Sequence, residues 1–204
     1  MPFREFLRGQ LPQPPARVLE VGCGQGELTT ALAVDGYDVL GIDPLAPPGD
    51  RFRRVRLDDL GAEDGPFDAV VAAHVFHHVR DLDHALDRVV ALLQRGGVFA
   101  VDEVAWDLMD DATVAWLFEQ RQARGHAPGS VKELRAEWEA EYVGIHGGQT
   151  LVRAFEARFE ERASERAPYL HRKLGGGTTE VLEQSLIDAS AIRPLGFRWA
   201  GVRP

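Results

Sequence analysis

The chain is poor in the features that cross-link a protein, anchor it in a membrane or attach it to polyanions. It holds one cysteine, Cys23, which excludes an internal disulfide framework and any zinc site built from several thiolates. Its longest unbroken apolar runs, Ala69 to Ala73 among them, span 5 residues, against the ~20 that a membrane-spanning helix needs. Positive charge is in deficit, because 23 Lys plus Arg face 32 Asp plus Glu, a formal net charge of −9 over 204 residues. Binding to nucleic-acid phosphates draws on clustered cations, so neither nucleic acid nor a membrane is an expected partner. The densest basic stretch, Arg51 to Arg56, alternates as a strand does and runs into Asp58 and Asp59, so it reads as a solvated strand edge. An amino terminus interrupted by Pro2, Arg4, Glu5 and Arg8 does not read as a signal peptide, and cytoplasmic residence is expected.

What is present suits an ordinary globule, since 45% apolar and 27% charged residues can build one proper core. Phe3 to Leu11 has the spacing of one helix face before Pro12, Pro14 and Pro15 stop it. Arg17 to Val21 reads as a strand that runs directly into Gly22-Cys23-Gly24-Gln25-Gly26. A helical stripe through Leu28, Ala31 and Leu32 follows, and then a second strand, Asp38 to Ile42, ends on Asp43-Pro44. Strand, glycine loop, helix and strand in that order form a βαβ unit, which commits the fold to a parallel sheet with a right-handed crossover. Further strands are expected at Arg53 to Leu57, Phe67 to Ala73 and Val98 to Val101. Between the last two, a helix face runs from Leu82 to Leu93 and is expected to end at Gly96-Gly97. From Asp110 the texture becomes helical and charged, with helices marked by Val114, Leu117 and Phe118, by Val131, Leu134, Trp138 and Tyr142, and by Gly148 to about Ala157. Phe159 to Ala167 is a sixth strand, a helix follows the glycines at 175–177, and Gly196 to Val202 is the last strand.

Glycines alternating at 22, 24 and 26, after a strand and before a helix, let a ligand approach the backbone beside the positive end of the helix dipole. The dinucleotide fingerprint G-x-G-x-x-G would put its third glycine at residue 27, where Glu27 stands. An acid at the loop exit suits a pyrophosphate badly, which disfavours a dinucleotide-dependent oxidoreductase. With Glu20 two residues before the loop, the pattern favours a ligand with a cationic part.

Five ordered segments then carry a family likeness. They are Val18 to Gly26, Val39 to Asp43, Leu57 to Leu60, Phe67 to Ala72 with Phe76 to Val79, and Leu92 to Gly97. Over about the first 103 residues the chain resembles the class I S-adenosylmethionine-dependent methyltransferases. The resemblance implies a Rossmann-like, doubly wound α/β sheet of seven strands with the last one antiparallel, and S-adenosyl-L-methionine as cofactor. It implies that Glu20 and the loop Gly22, Cys23, Gly24 and Gly26 hold the methionyl ammonium end. Asp43, followed by Pro44, would accept the ribose hydroxyls; Asp58, with Asp59 as the competing assignment, would accept the adenine amino group, with Leu60 near the ring. Ala73 and His74 would lie beside the sulfonium.

Three readings of His74, His77 and His78 stay open: His78 holds the loop, His74 or His77 serves as a general base, or the group binds a metal. Carboxylates suited to magnesium are missing from His74-Val75-Phe76-His77-His78, so no metal is expected. The chain is read as one methyltransferase domain, with 1–103 binding the cofactor, 104–158 a helical cap inserted after the fifth strand, and 159–204 completing the sheet. Glu103, Trp106, Tyr169 and His171 are among the groups expected to enclose the acceptor, whereas Trp138 and Tyr142 lie on a helical stripe that favours core packing. The acceptor is expected to be a small molecule, with oxygen favoured over nitrogen. A non-catalytic subunit that binds the same cofactor is the rival.

Overall fold

The computed structural model describes residues 3–175 and 178–204, so Gly176 and Gly177 of the expected glycine break lie outside the described residues. Seven strands form one sheet in the order β3-β2-β1-β4-β5-β7-β6. They are β1 (Arg17–Val21), β2 (Asp38–Ile42), β3 (Phe52–Arg53), β4 (Phe67–Ala73), β5 (Leu93–Val104), β6 (Glu160–Ala167) and β7 (Gly196–Val202). β1 to β5 run parallel, and β7 lies antiparallel between β5 and β6. The doubly wound sheet inferred from the sequence is therefore the observed one.

Strand periodicity divides the core in two. Alternate residues Val18, Val39, Ala69, Val71, Val98 and Ala100 face α1 (Phe3–Gln10) and α2 (Glu27–Val34), while Leu19, Ile42, Val70, Ala72, Phe99 and Val101 face the other layer, built from α3 (Leu82–Leu92) and α6 (Gly148–Glu156). Sheets covered on both faces read as near-continuous apolar strands, which is why β4 and the middle of β5 carry little but Ala, Val and Phe. A third cluster sits beyond the end of β5, where α4 (Asp111–Ala123) and α5 (Val131–Glu141) bury Val114, Leu117, Leu134, Trp138 and Tyr142 against Val104, Tyr169 and Leu170. Asp110 and Ser130 cap these two helices by accepting the N–H groups of Thr113 and Glu133 at 2.9 and 3.2 Å. Thr179 caps the last helix, α7 (Glu180–Asp188), in the same way. Among the described residues no helix is long and apolar enough to cross a membrane.

Two of the boundaries that differ from expectation have a clear backbone cause. β3 keeps only Phe52 and Arg53, because the chain then turns: the Asp59 carboxylate accepts the Arg56 N–H at 2.8 Å and closes a short 3-10 turn over Leu57–Asp59. Gly96-Gly97 does not end α3, which stops at Leu92; the glycines fall inside β5, with Gly96 at φ +73°. A Cβ on Gly97 would come within 2.9 Å of the Gln94 carbonyl and 3.1 Å of that of Asp68, so close backbone approach in an irregular strand start selects glycine there.

The strand order reverses between β1 and β4. At that switch point the loops leaving neighbouring strands diverge to opposite faces and open a crevice at the carboxyl edge. Here it sets the glycine loop after β1 beside the histidine segment after β4.

Candidate active site

The crevice widens into a cavity of about 910 Å³ whose lining includes Gly22, Asp43, Pro44, Asp58, Ala73, His74 and His78. Gly22, Gly24 and Gly26 all hold positive φ, at 73°, 52° and 82°. A Cβ on Gly22 would strike the Val75 side chain, and one on Gly26 would strike the Phe52 ring. Gly22→Ala should therefore lose ~1–3 kcal/mol of stability through strain and displacement of Val75. Thermal melts check this, and an unchanged Tm would contradict the packing.

Asp43 is committed on both oxygens, one accepting the Gly24 N–H at 3.2 Å and the other the Leu45 N–H at 2.7 Å. Each carboxylate oxygen keeps a further lone pair, and Asp43 lines the cavity. Glu20 is buried beneath the loop and does not line the cavity; the Thr29 hydroxyl of α2 donates to it, and burial raises its carboxyl above the ordinary range. Cys23 is buried as well, and desolvation, reinforced by Glu20 and Asp43, pushes its thiol up to about 12. It should stay unmodified by a thiol reagent at pH 8 in the native state and react only on unfolding.

At the far end, Asp58 lines the cavity with Leu57 and Val79, and the His84 Nε2 stands 3.3 Å from its carboxylate. Asp59 is spent on the Arg56 N–H. Leu60 is not at the cavity wall but in the core, where its carbonyl accepts from the Arg88 guanidinium.

The histidines separate by environment. His77 is buried, does not line the cavity, and its Nδ1 lies 2.5 Å from Glu103 Oε2. The other Glu103 oxygen accepts the N–H groups of Val75 and Phe76 at 3.0 and 2.6 Å. The loop is thus held by His77 and Glu103, not by His78, and Glu103 acts from beneath it instead of enclosing an acceptor. Its mirror image is Glu183 of α7, fully buried, which accepts the N–H groups of Tyr169, Leu170 and His171 at 2.7, 2.9 and 2.7 Å and pairs with His171 Nδ1 at 3.0 Å. Neither the residue type nor its spacing marked Glu183 in the sequence.

Between these two clamps stands His74. It is a non-glycine residue at φ +57°, in the left-handed region, and its N–H donates to the Asp102 carbonyl at 2.7 Å. Its ring lies 5.6 Å from that of Tyr169. Burial, with Arg172 the next cause, depresses the imidazole to about 3, so it is neutral at physiological pH. Asp102 behind it is buried, and desolvation lifts its carboxyl to about 6 despite Arg198 and Arg172. A carboxyl raised above its unfolded value of ~3.9 loses stability as pH climbs from about 4 to about 6 and stays penalised above. Asp102→Asn should consequently melt higher than the parent at pH 8 and converge with it below pH 4.

A seven-stranded sheet with this order, its reversed strand at β7 and a glycine loop at the switch point is that of the class I S-adenosylmethionine-dependent methyltransferases. A family model described as a methyltransferase domain matches residues 2–157, and the chain belongs to that family. It is 29% identical over 138 residues to an uncharacterized methyltransferase of Mycobacterium bovis, covering 63% of this chain and 55% of the relative. It is 34% identical over 115 residues to a ubiquinone biosynthesis O-methyltransferase of Xylella fastidiosa, covering 49% of this chain and 46% of that one. The chain therefore spans about half the length of the curated relatives it matches. Among solved structures, an S-adenosylmethionine-dependent methyltransferase from Mesorhizobium loti superposes with a TM-score of 0.61 at 19% identity, covering 98% of this chain and 96% of that one.

Proposed function

We propose that the protein transfers a methyl group from S-adenosyl-L-methionine to an oxygen of a small-molecule acceptor. The observation that carries this reading is the meeting of Gly22, Asp43, Asp58 and His74 around one cavity at the switch point. Each polar group there fits one part of that cofactor. Asp43, with Pro44 after it, accepts the ribose hydroxyls on its spare lone pairs. Asp58 accepts the adenine amino group between Leu57 and Val79. The glycine loop leaves room for the amino-acid end, above the buried Glu20. Bound there, the cofactor supplies a methyl group on a sulfonium, which needs no further activation.

The chain's own residues then position the acceptor and exclude water, effects worth as much as ~7–11 kcal/mol in model reactions. Ala73 ends β4 at the reacting end, and His74 directly after it, neutral and lining the cavity, is the group to take the acceptor's proton. His77 is spent on Glu103 and serves the loop. The segment 104–158, with Tyr169 and His171 beyond it, encloses the acceptor. Oxygen is favoured because a hydroxyl must shed its proton to a neighbour, and the similarity to the ubiquinone biosynthesis O-methyltransferase supports the same choice.

Calorimetry with S-adenosylhomocysteine tests the cofactor half, and a panel of phenols, amines and carboxylic acids with methyl-labelled cofactor tests the rest. Binding of that ligand with label transferred to a phenol is the expected result. Absence of binding sinks the reading, and binding with no transfer to any acceptor class favours a cofactor-binding subunit.

A further inference from the structure

Around His74 the structure leaves polar groups that cofactor binding does not use. Among the described residues, both imidazole nitrogens of His74 and Nε of Arg198 are buried without a hydrogen-bond partner. Three approaches converge on the buried Asp102: His74 Nε2 at 3.9 Å, Arg172 Nη2 at 3.9 Å and Arg198 Nε at 3.8 Å. All are too long for hydrogen bonds, yet a shift of about 1 Å would make any of them one, and catalytic hydrogen bonds commonly tighten only when substrate binds. The backbone supports the same geometry. Asp102 is in register with Ala73 on one side and with Arg198 on the other, so the reversed strand β7 delivers a guanidinium to the same face as the carboxylate. His74 is held in the sparsely populated left-handed region beside that carboxylate, and Glu103 and Glu183 brace the segments on either side of it.

We propose that His74 and Asp102 form one proton-accepting unit beside the methyl-transfer site, in which His74 meets the acceptor and Asp102 is the positioning residue that stores the proton. The proposal rests on the methyltransferase reading and deepens it, since such a unit serves an acceptor that attacks through a hydroxyl or phenol oxygen. In this unit Nε2 carries the proton toward Asp102 and Nδ1 offers its lone pair to the acceptor. As the acceptor O–H bond breaks, its proton bonds to Nδ1, the Nε2 proton passes to Asp102 Oδ2, and imidazole stays neutral. The electron pair left on the acceptor oxygen forms the new O–C bond, and the S–C pair remains on sulfur.

The surroundings set the order in which the two groups charge. Facing Asp102 are His74, Arg198 of β7, Arg172 from the turn after β6, Glu103 on its own strand and Glu180 of α7. Arg198 is itself shared with Glu165 and Glu180, at 3.1 and 2.7 Å, which weakens its hold on Asp102. Facing His74 are Arg172, His77, His171 and Arg198. With the carboxyl at about 6 and the imidazole at about 3, a proton entering the unit settles on Asp102 first.

The test is an NMR titration of the free protein, which is read independently of cofactor binding. Imidazole nitrogens are followed in ¹⁵N-labelled protein and aspartate carboxyl carbons in ¹³C-labelled protein from pH 4.5 to 8. The expected result is one shared midpoint near 6, seen at the Asp102 carboxyl and at the His74 nitrogens, with the His74 inflection lost in Asp102→Asn. Separate midpoints in the parent protein, or a His74 inflection that survives Asp102→Asn, overturns the proposal. Because the shared midpoint is read in the parent protein, the test holds even if the variant fails to fold. Failure of S-adenosylhomocysteine to bind in calorimetry would instead remove the underlying reading.

Discussion

Asp43→Ala should lower the affinity for S-adenosylhomocysteine by at least ~100-fold while the protein stays folded. The carboxylate sits at the end of β2 with its two oxygens already engaged by Gly24 and Leu45 N–H groups, so its orientation is fixed before any ligand arrives. Two charge-assisted hydrogen bonds to ribose hydroxyls contribute ~1.5–3 kcal/mol each, and every ~1.4 kcal/mol is tenfold in affinity. The substitution also frees the Gly24 N–H and loosens the loop, which adds to the loss. Asp43→Asn keeps one acceptor and should fall in between. Calorimetry at fixed salt decides, and a loss below about threefold for the alanine variant would show that the ribose is not held here.

The second large effect is on stability. Glu103→Ala removes the acceptor of two backbone N–H groups and of the His77 ring; Glu103, Phe76 and His77 are buried and Val75 is partly so. Each orphaned group costs ~1–3 kcal/mol, so a total of about 4 kcal/mol is expected. For a domain of this size that lowers Tm by roughly 8–16 °C. Affinity for S-adenosylhomocysteine should drop as well, because the loop freed at Val75 packs over Gly22. Glu103→Gln, which keeps one acceptor oxygen and the shape, should lose less than half as much. Thermal unfolding followed by circular dichroism measures the difference, and a Tm within about 2 °C of the parent would show that the clamp is not what holds the loop.

The fold of the first hundred residues was legible because its signals are local. A strand, three glycines and a helix in succession, then an acid at the end of the next strand, are read within a few dozen residues, and β1, β2, β4 and β7 stand at the limits expected for them. The sequence favours Asp58, with Asp59 as its rival; in the structure Asp58 lines the cavity, while the turn after Arg56 engages Asp59 on a backbone N–H. His77 and His78 were confused for a similar reason. Their roles depend on which ring faces Glu103, a residue 26 positions away from His77. The shortening of β3 and the glycines inside β5 reflect backbone contacts between distant segments, which periodicity does not register. The pairing of Asp102 with Arg198 depends on the reversed strand, and no spacing rule links those positions. One trace of it was present: Asp102-Glu103 is a pair of acids closing a strand that is otherwise Val, Phe and Ala, and buried charge of that kind needs a specific reason.

Those adjacent acids on β5 also tie function to register. Successive residues of a strand point to opposite faces, so Asp102 reaches the His74 imidazole while Glu103 reaches the backbone of the next turn. Sliding β5 by one position against its neighbours would exchange them, putting the loop brace where the proton store belongs and the proton store where the brace belongs. A single-residue deletion between Leu93 and Val98 is therefore a different kind of lesion from a point substitution, because both carboxylates survive it and neither keeps its partner.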